Sequence, residues 1–325
     1  VEKVIITRTP LRISFAGGGT DICDYYRSCG GAVVSAAINK YIYISVNKKF
    51  DNAIRVSYSD TEIVDEVDEL RHELVRECLK MAGIKGGIEV TSVADIPSGT
   101  GLGSSSSFTV GVLNALYAYT GRRLSSSQLA ERACQIEIDI LGHPIGKQDQ
   151  YAVAYGGLNY FKFNKDDSVT YEKIKLCEED ARKMNRNLMI FYTGITRSAN
   201  GVLKEQKKNT QVKMDCLNFI KNQAELLFNE FDVKGFGDSF AEILHAGWMQ
   251  KCKLAGGICN TQIDGYYKKA LEAGAKGGKL LGAGGGGFLL FYCDDDCQDK
   301  VREAVGLMQM DFGIDMYGSQ VVYFA

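Results

Sequence analysis

Over the first 60 residues apolar and polar positions alternate in short runs, the two-residue period of strands. Residues 4–7 and 11–15 are β-prone runs, and residues 41–46 (YIYISV) and 54–58 continue the pattern. A charged stretch over residues 65–81 then reads as helix and stops before Gly83. Residues 88–93 return to a strand pattern. After a loop of glycine and serine, an apolar helix is predicted over residues 105–119, closed by Gly121. A further helix is predicted over residues 126–141, with serines 125–127 as caps and Gly142 as its stop. Residues 158–163 and 169–174 read as a hairpin around Lys165-Asp166-Asp167-Ser168.

The second half has a different texture. A strand at residues 188–192 precedes long helical patterns over 199–231, 237–253 and 262–273. A strand at 287–292, a helix at 298–307 and a strand at 316–323 close the chain. This order predicts an α+β sandwich. The boundary falls in the charged stretch 178–187, which divides the chain into residues 1–183 and 184–325.

Composition narrows the class. At 325 residues the chain has room for two domains, and 45% hydrophobic residues can build a core for each, which excludes disorder. No window reaches the ~18 consecutive apolar residues of a membrane span. The first nine residues carry no signal-peptide pattern, so the expectation is a cytoplasmic protein. A net charge of −2 with mixed signs argues against nucleic acid as a partner. The ten cysteines include no CxxC pair, and His72, His143 and His245 stand far apart, which points to reduced thiols rather than a zinc site.

The glycines are clustered, and the clusters carry the chemistry. IPSGTGLGSSSS (96–107) alternates Gly99, Gly101 and Gly103 and then runs through serines into the apolar helix. Such a loop brings backbone N–H groups and a helix N-terminus to an anion, without a basic surface. KLLGAGGGGFLLFY (279–292) formally matches GxGxxG, but a strand pattern follows it where a dinucleotide fold needs a helix. Its glycines are expected in a tight turn pressed against a neighbour or a ligand. RTPLRISFAGGGTD (8–21) ends a strand in glycines and presents Thr20 and Asp21, with Arg12 mid-strand. Glu137 lies on an apolar helix face among Ala133, Cys134, Ile140 and Leu141, so it needs a cation or a donor as partner. Asp149 follows a turn containing Gly146 and Lys147; it is either a helix cap or a functional carboxylate.

Together RTPLRISFAGGGTD, IPSGTGLGSSSS and LLGAGGGGF resemble the three motifs of the GHMP kinases, and the likeness spans nearly the whole chain. It implies a GHMP kinase fold: an N-terminal domain like ribosomal protein S5 domain 2 and a ferredoxin-like C-terminal domain, with ATP and substrate meeting between them. It implies ATP held by Pro97, Gly99, Gly101, Leu102, Gly103, Ser104, Ser105, Ser106 and Ser107. Magnesium would be held by Ser105 and Glu137. Asp149 matches the family's catalytic aspartate, faced by Arg12, with Lys147 as a second cation. Gly18, Gly19, Thr20, Asp21, Gly146, Gly284 and Gly285 would border the substrate.

Galactokinases carry Glu-His where this chain has Gly18 and Gly19, which disfavours galactose. The AGGGTD form and TGITRSANGVLKEQ (193–206) resemble the branch of D-glycero-D-manno-heptose 7-phosphate kinases and fucokinase-like enzymes. The resemblance implies phosphorylation of the anomeric hydroxyl of that heptose phosphate, by a monomer or homodimer; a fucokinase-like enzyme acting on a free sugar is the alternative. Arg197 is the candidate for the substrate's phosphate, ahead of Arg8, Lys147 and Lys204. A non-catalytic sugar sensor is disfavoured because Glu137 and Asp149 both stand, and an RNA-binding module because the basic footprint is missing.

Overall fold

The computed structural model describes residues 4–195 and 213–325. In chain order its first half contributes β1 (Val4–Ala16), α1 (Cys23–Cys29), β2 (Gly31–Lys48), β3 (Ile54–Ser57), β4 (Thr61–Val64), α2 (Glu73–Ala82) and β5 (Ile88–Ala94). Next come α3 (Ser104–Tyr119), α4 (Ser126–Cys134), α5 (Gln148–Tyr155), β6 (Leu158–Phe163), β7 (Val169–Lys173) and α6 (Glu178–Asn187). The remainder holds β8 (Leu188–Tyr192), α7 (Met214–Val233), α8 (Asp238–Lys251), α9 (Thr261–Glu272), β9 (Gly277–Leu280), β10 (Phe288–Tyr292), α10 (Gln298–Val305), β11 (Met308–Met310) and β12 (Gln320–Phe324).

The two strand runs predicted at the N-terminus are one strand. Pro10 stands where the pairing of β1 with β2 shifts register, a place where its missing N–H interrupts nothing. The long β2 forks the first sheet: its residues 31–36 pair with β6 and its residues 42–48 pair with β5. The α+β expectation holds. The second sheet has the order β11-β8-β10-β9, all antiparallel, the split βαβ arrangement of a ferredoxin-like unit.

The chain's last strand departs from expectation. Residues 316–323 do not complete the second sheet; the three-residue β11, too short to show a period, does that. Strand β12 crosses back and pairs antiparallel with the outer edge of β1. The helix expected over 65–81 is also divided, into a 3₁₀ turn, Val67–Glu69, and α2. Glu66 and Glu69 cap each other around the turn, and Leu70 after it is extended. Of the helix expected over 199–231, residues 199–212 lie outside the described residues, and α7 carries the rest. Among the described residues no helix is long and apolar enough to cross a membrane.

Helix α3 is buried almost all round, which is why its sequence is apolar without a polar stripe. The core around it joins β1 and β2 to α7 and α8, through residues such as Ile13, Val34, Leu113, Leu227 and Phe240. Phe15 meets Phe240 edge to face at 5.3 Å, and Tyr160 stacks on Phe228 at 4.5 Å, so aromatic rings stitch the first sheet to the helices of the second half. A second cluster, with Phe191, Trp248, Ile263 and Val301, lies between the small sheet, α9 and α10.

Candidate active site

The three glycine loops converge on one cleft of about 930 Å³. Convergence depends on backbones touching. A Cβ on Gly101 would lie 2.6 Å from the Leu281 carbonyl oxygen, and one on Gly287 would lie 2.2 Å from that of Thr100. Both glycines also have positive φ, so no side chain fits on either count. The turn expected in residues 279–292 is therefore pressed against the 96–107 loop.

That loop delivers the N-terminus of α3. Gly103 takes a left-handed conformation with φ 75°, and no side chain caps the helix. The first N–H groups of α3 are thus left for an anion in the cleft. Pro97, Gly99, Gly101, Gly103, Ser104, Ser105 and Ser106 line the cleft. Leu102 and Ser107 do not. Leu102 is buried beneath the loop and its carbonyl accepts from the Arg12 N–H, while the Ser107 hydroxyl donates to the carbonyls of Pro10 and Gly103.

Arg12 and Asp149 form a two-pronged ion pair. Arg12 Nε donates to Asp149 Oδ1 at 2.7 Å and Nη2 to Oδ2 at 2.8 Å, while Nη1 donates to the Gly101 carbonyl at 2.7 Å. The arginine therefore ties the carboxylate to the anion loop. It is 3% exposed, whereas an arginine in the middle of a strand commonly reaches solvent. Asp149 sits in the first turn of α5, after Lys147 as cap residue, and lines the cleft.

Lys147 does not reach this pair. Its ammonium donates to the Asp167 carbonyl at 2.8 Å and lies over the Tyr26 ring, outside the cleft lining. Asp167 at the hairpin tip draws it away, and the expected second cation is absent from that position. A different lysine lines the cleft: Lys251, at the end of α8, whose ammonium donates to the Gly282 carbonyl.

Asp21 accepts from the Gly19 N–H at 2.9 Å and the Gln148 N–H at 3.1 Å. Burial pushes its carboxyl above the usual range and the Asp149 charge adds to that, against these hydrogen bonds. Gly146 packs directly on Asp21, where a Cβ would clash at 2.0 Å. Gly18 and Gly19 line the cleft beside it. Thr20 is turned inward: its hydroxyl donates to the Gly17 and Ala32 carbonyls and pins the glycine turn. Gly284 lines the cleft, whereas Gly285 lies behind it and donates to the Ile258 carbonyl. Arg197 and Lys204 lie outside the described residues. Arg8 stands on β1 over the Tyr41 ring and donates to Gln320, away from the cleft.

Glu137 is fully buried, and donors satisfy it. Ser105 Oγ donates to Oε1 at 2.8 Å and Gln150 Nε2 to Oε2 at 2.6 Å. The helix expected over 126–141 changes at this point: after α4 it widens into a π turn, Gln135–Ile140. The turn sends Glu137 inward and leaves Ile140 half exposed, so the apolar face read from helical spacing is only partly its real surrounding. Burial raises the Glu137 carboxyl above its ordinary value, against the hydrogen bonds of Gln150, Ser105 and Ser106.

Magnesium is normally held by one or two carboxylates together with substrate phosphates. Ser105, which lines the cleft, and Glu137, buried directly behind it, fit that pattern: a carboxylate with no ion-pair partner among the described residues, beside a hydroxyl with lone pairs to give. Among the described residues no group of three or more His, Cys, Asp or Glu is gathered. Gln150 escaped the sequence reading because a glutamine one position from Asp149 carries no pattern of its own.

An aromatic wall also escaped it. Tyr58, His72 and Phe108 line the far end of the cleft, with His72 stacked 5.0 Å from Phe108 and edge-on to Tyr58 at 4.5 Å. Burial lowers the His72 pKa and keeps the ring neutral, and its Nδ1 has no partner among the described residues.

Known proteins share this architecture. Residues 69–157 match the GHMP kinases N terminal domain, and residues 226–307 match the GHMP kinases C terminal domain. The D-glycero-alpha-D-manno-heptose 7-phosphate kinase of Campylobacter jejuni is 30% identical over 309 residues, 90% of this chain and 90% of that protein. The L-fucokinase/L-fucose-1-P guanylyltransferase of Bacteroides fragilis is 27% identical over 90% of this chain but only 35% of that protein. A solved D-glycero-D-manno-heptose 1-phosphate kinase from Bacteroides thetaiotaomicron superposes with a TM-score of 0.81 at 25% identity, covering 98% of this chain and 99% of its own.

Proposed function

The chain belongs to the GHMP kinase family, and from that premise we propose that it phosphorylates the anomeric hydroxyl of D-glycero-D-manno-heptose 7-phosphate, giving the 1,7-bisphosphate. Membership makes it an ATP-dependent phosphotransferase with an alcohol group as acceptor. The observation that carries phosphoryl transfer is the Arg12–Asp149 pair, tied through Gly101 to the anion loop and set next to Asp21, and the 30% likeness to a heptose 7-phosphate kinase supports that sugar phosphate as acceptor. In this reading the N-terminus of α3 and Ser104–Ser106 bind the phosphates of ATP. The Tyr58, His72 and Phe108 rings offer the base a flat apolar wall. Asp21 holds sugar hydroxyls, and the bare turn at Gly18 and Gly19 leaves room for a seven-carbon sugar.

Asp149 orients the acceptor hydroxyl and takes its proton. Arg12 holds both carboxylate oxygens in place, so the carboxylate needs no reorganisation when the hydroxyl arrives. Ser105 and Glu137 would hold magnesium, which when bound offsets the negative charge of the β- and γ-phosphates. Glu137→Gln is expected to raise the magnesium concentration for half-maximal rate by about 10-fold or more, as loss of groups that support a metal does. A magnesium titration of the variant with an unchanged midpoint would remove Glu137 from this role.

Coupled ADP release with the heptose 7-phosphate, beside mannose, fucose and galactose, tests the acceptor. Turnover with the heptose phosphate alone, with a new anomeric phosphate in the phosphorus NMR spectrum, is the expected result. The likeness to a fucokinase supports a second reading, a 1-kinase of a free sugar. Turnover with a free sugar alone would establish that reading and reject the first.

A further inference from the structure

Lys251 ends α8 and runs into the wall of the cleft, only 8% exposed. One of its three N–H groups donates to the Gly282 carbonyl in the third glycine loop. Among the described residues no carboxylate lies within ion-pair distance of it. Two acidic groups face it, Asp21 and Asp149, and neither is free. Asp149 gives both oxygens to Arg12, and Asp21 gives both to backbone N–H groups. The cations near it are Arg12 and Lys279, and Cys252 is its chain neighbour. Lys279 is itself committed, donating to the Phe15 carbonyl at 2.9 Å.

A buried ammonium without a paired carboxylate is costly unless an anion joins it. Burial and the Arg12 charge bring the Lys251 pKa down to about 8. Lys251 lines the cleft together with Arg12 and Asp149, and the second space it borders, against Phe15 and Lys279, holds only about 10 Å³. Beside Arg12 and Asp149, where the acceptor hydroxyl meets ATP in the reading above, the anion at hand is the phosphoryl group in transfer. Lys147, adjacent in sequence to the catalytic aspartate's turn, is held elsewhere by Asp167 and Tyr26, so it leaves this place to Lys251.

We propose that Lys251 is a catalytic residue whose ammonium donates to an oxygen of the phosphoryl group as that group passes from ATP to the acceptor. The proposal rests on the phosphotransfer reading above. In the step, the acceptor oxygen bonds to the γ-phosphorus and the bond from that phosphorus to the bridging oxygen breaks. ADP leaves with the electron pair, and the acceptor's proton goes to Asp149. Lys251 keeps its protons and contributes charge and hydrogen bonds, which strengthen as charge on the phosphoryl oxygens shifts.

The test uses the full chain with Lys251→Met and Lys251→Arg, each checked for folding by thermal melting. Lys251→Met is expected to lower kcat by about 10²–10³-fold, the loss seen when one transition-state donor is removed. KM for the acceptor and the Kd for ATP should stay within about threefold. In the wild type, kcat/KM should fall as pH rises through about 8, because the free enzyme then loses the ammonium. Lys251→Arg should move that alkaline limb upward, since a guanidinium keeps its charge.

A folded Lys251→Met variant with kcat within threefold of wild type would overturn the proposal. So would a rise in acceptor KM without a loss of kcat, which would make Lys251 an anchor for the substrate's own phosphate. If the Met variant does not fold, the Arg variant decides: an alkaline limb that stays in place rejects the assignment. A wild-type protein that turns over none of the four sugars fails the functional reading instead, and is thereby told apart.

Discussion

Asp149→Asn is expected to lower kcat by about 10²-fold or more while leaving the affinity for ATP close to that of the wild type. The asparagine keeps the size and position of the side chain at the start of α5, so the cleft is not reshaped. It loses the ability to take the acceptor's proton. It also turns an NH₂ group toward Arg12, whose Nε and Nη2 both now meet carboxylate oxygens. The guanidinium stays tied to the Gly101 carbonyl, so the anion loop keeps its support. ADP release under saturating ATP and acceptor measures the effect, and nucleotide binding by calorimetry separates it from lost affinity. A variant with near-normal kcat would remove the base role. It would leave a site that works by positioning and charge alone.

Phe240→Ala is expected to cost about 3–5 kcal/mol of stability, the range for emptying a buried aromatic site. Phe240 is 1% exposed, and its ring touches Phe15 of β1 at 5.3 Å, Phe236 at 4.8 Å and Phe231 at 6.0 Å. Rings from both halves pack there, so the cavity cannot close by a shift of one side chain. The same helix carries Lys251 at its other end, so loosening this seam should also lower kcat. Urea unfolding followed by fluorescence and far-UV circular dichroism measures the loss. Separation of the two probes into distinct transitions would show that this aromatic seam couples the halves. A loss under about 1 kcal/mol would show that it does not.

Much of the site was legible because its chemistry is written in short contiguous segments. The 96–107 loop announces an anion site since glycine permits the backbone approach and the helix that follows supplies the donors. Glu137 announced a missing partner because helical spacing placed a carboxylate among apolar neighbours. Its partners are Ser105, 32 positions back, and Gln150, 13 positions on. Ser105 stands in the marked serine run of the anion loop, whereas nothing local marks Gln150. The π turn that presents Glu137 is invisible as well, since its residues read as ordinary helix.

Lys147 and Lys251 show the same limit from the other side. Nearness in sequence favoured Lys147, but a side chain goes to the partner that tertiary packing offers, here Asp167 and the Tyr26 face. Lys251 reads in sequence as a cation closing a helix, the common arrangement at a helix C-terminus. Only the docking of α8 against the third glycine loop buries it. The short β11 carries no strand period of its own, and nothing in the sequence of β12 says that it joins β1 rather than the second sheet. A strand's sequence states that it pairs, while the edge left open by the rest of the fold states with what.

The sequence by itself determined the family, the α+β class, the three glycine loops and the carboxylates Asp21, Glu137 and Asp149. The class, the glycine loops and the unpartnered Glu137 are properties of neighbouring residues, namely period, backbone freedom and a charge on an apolar face; the family, and Asp21 and Asp149 as site residues, follow from the resemblance of the motifs. Tertiary structure alone decided that Lys251 rather than Lys147 serves the cleft, that Gln150 donates to Glu137, where the aromatic wall stands and which sheet receives the last strand. Those depend on contacts such as Lys251 with Gly282, 31 positions apart, where no local periodicity connects the partners.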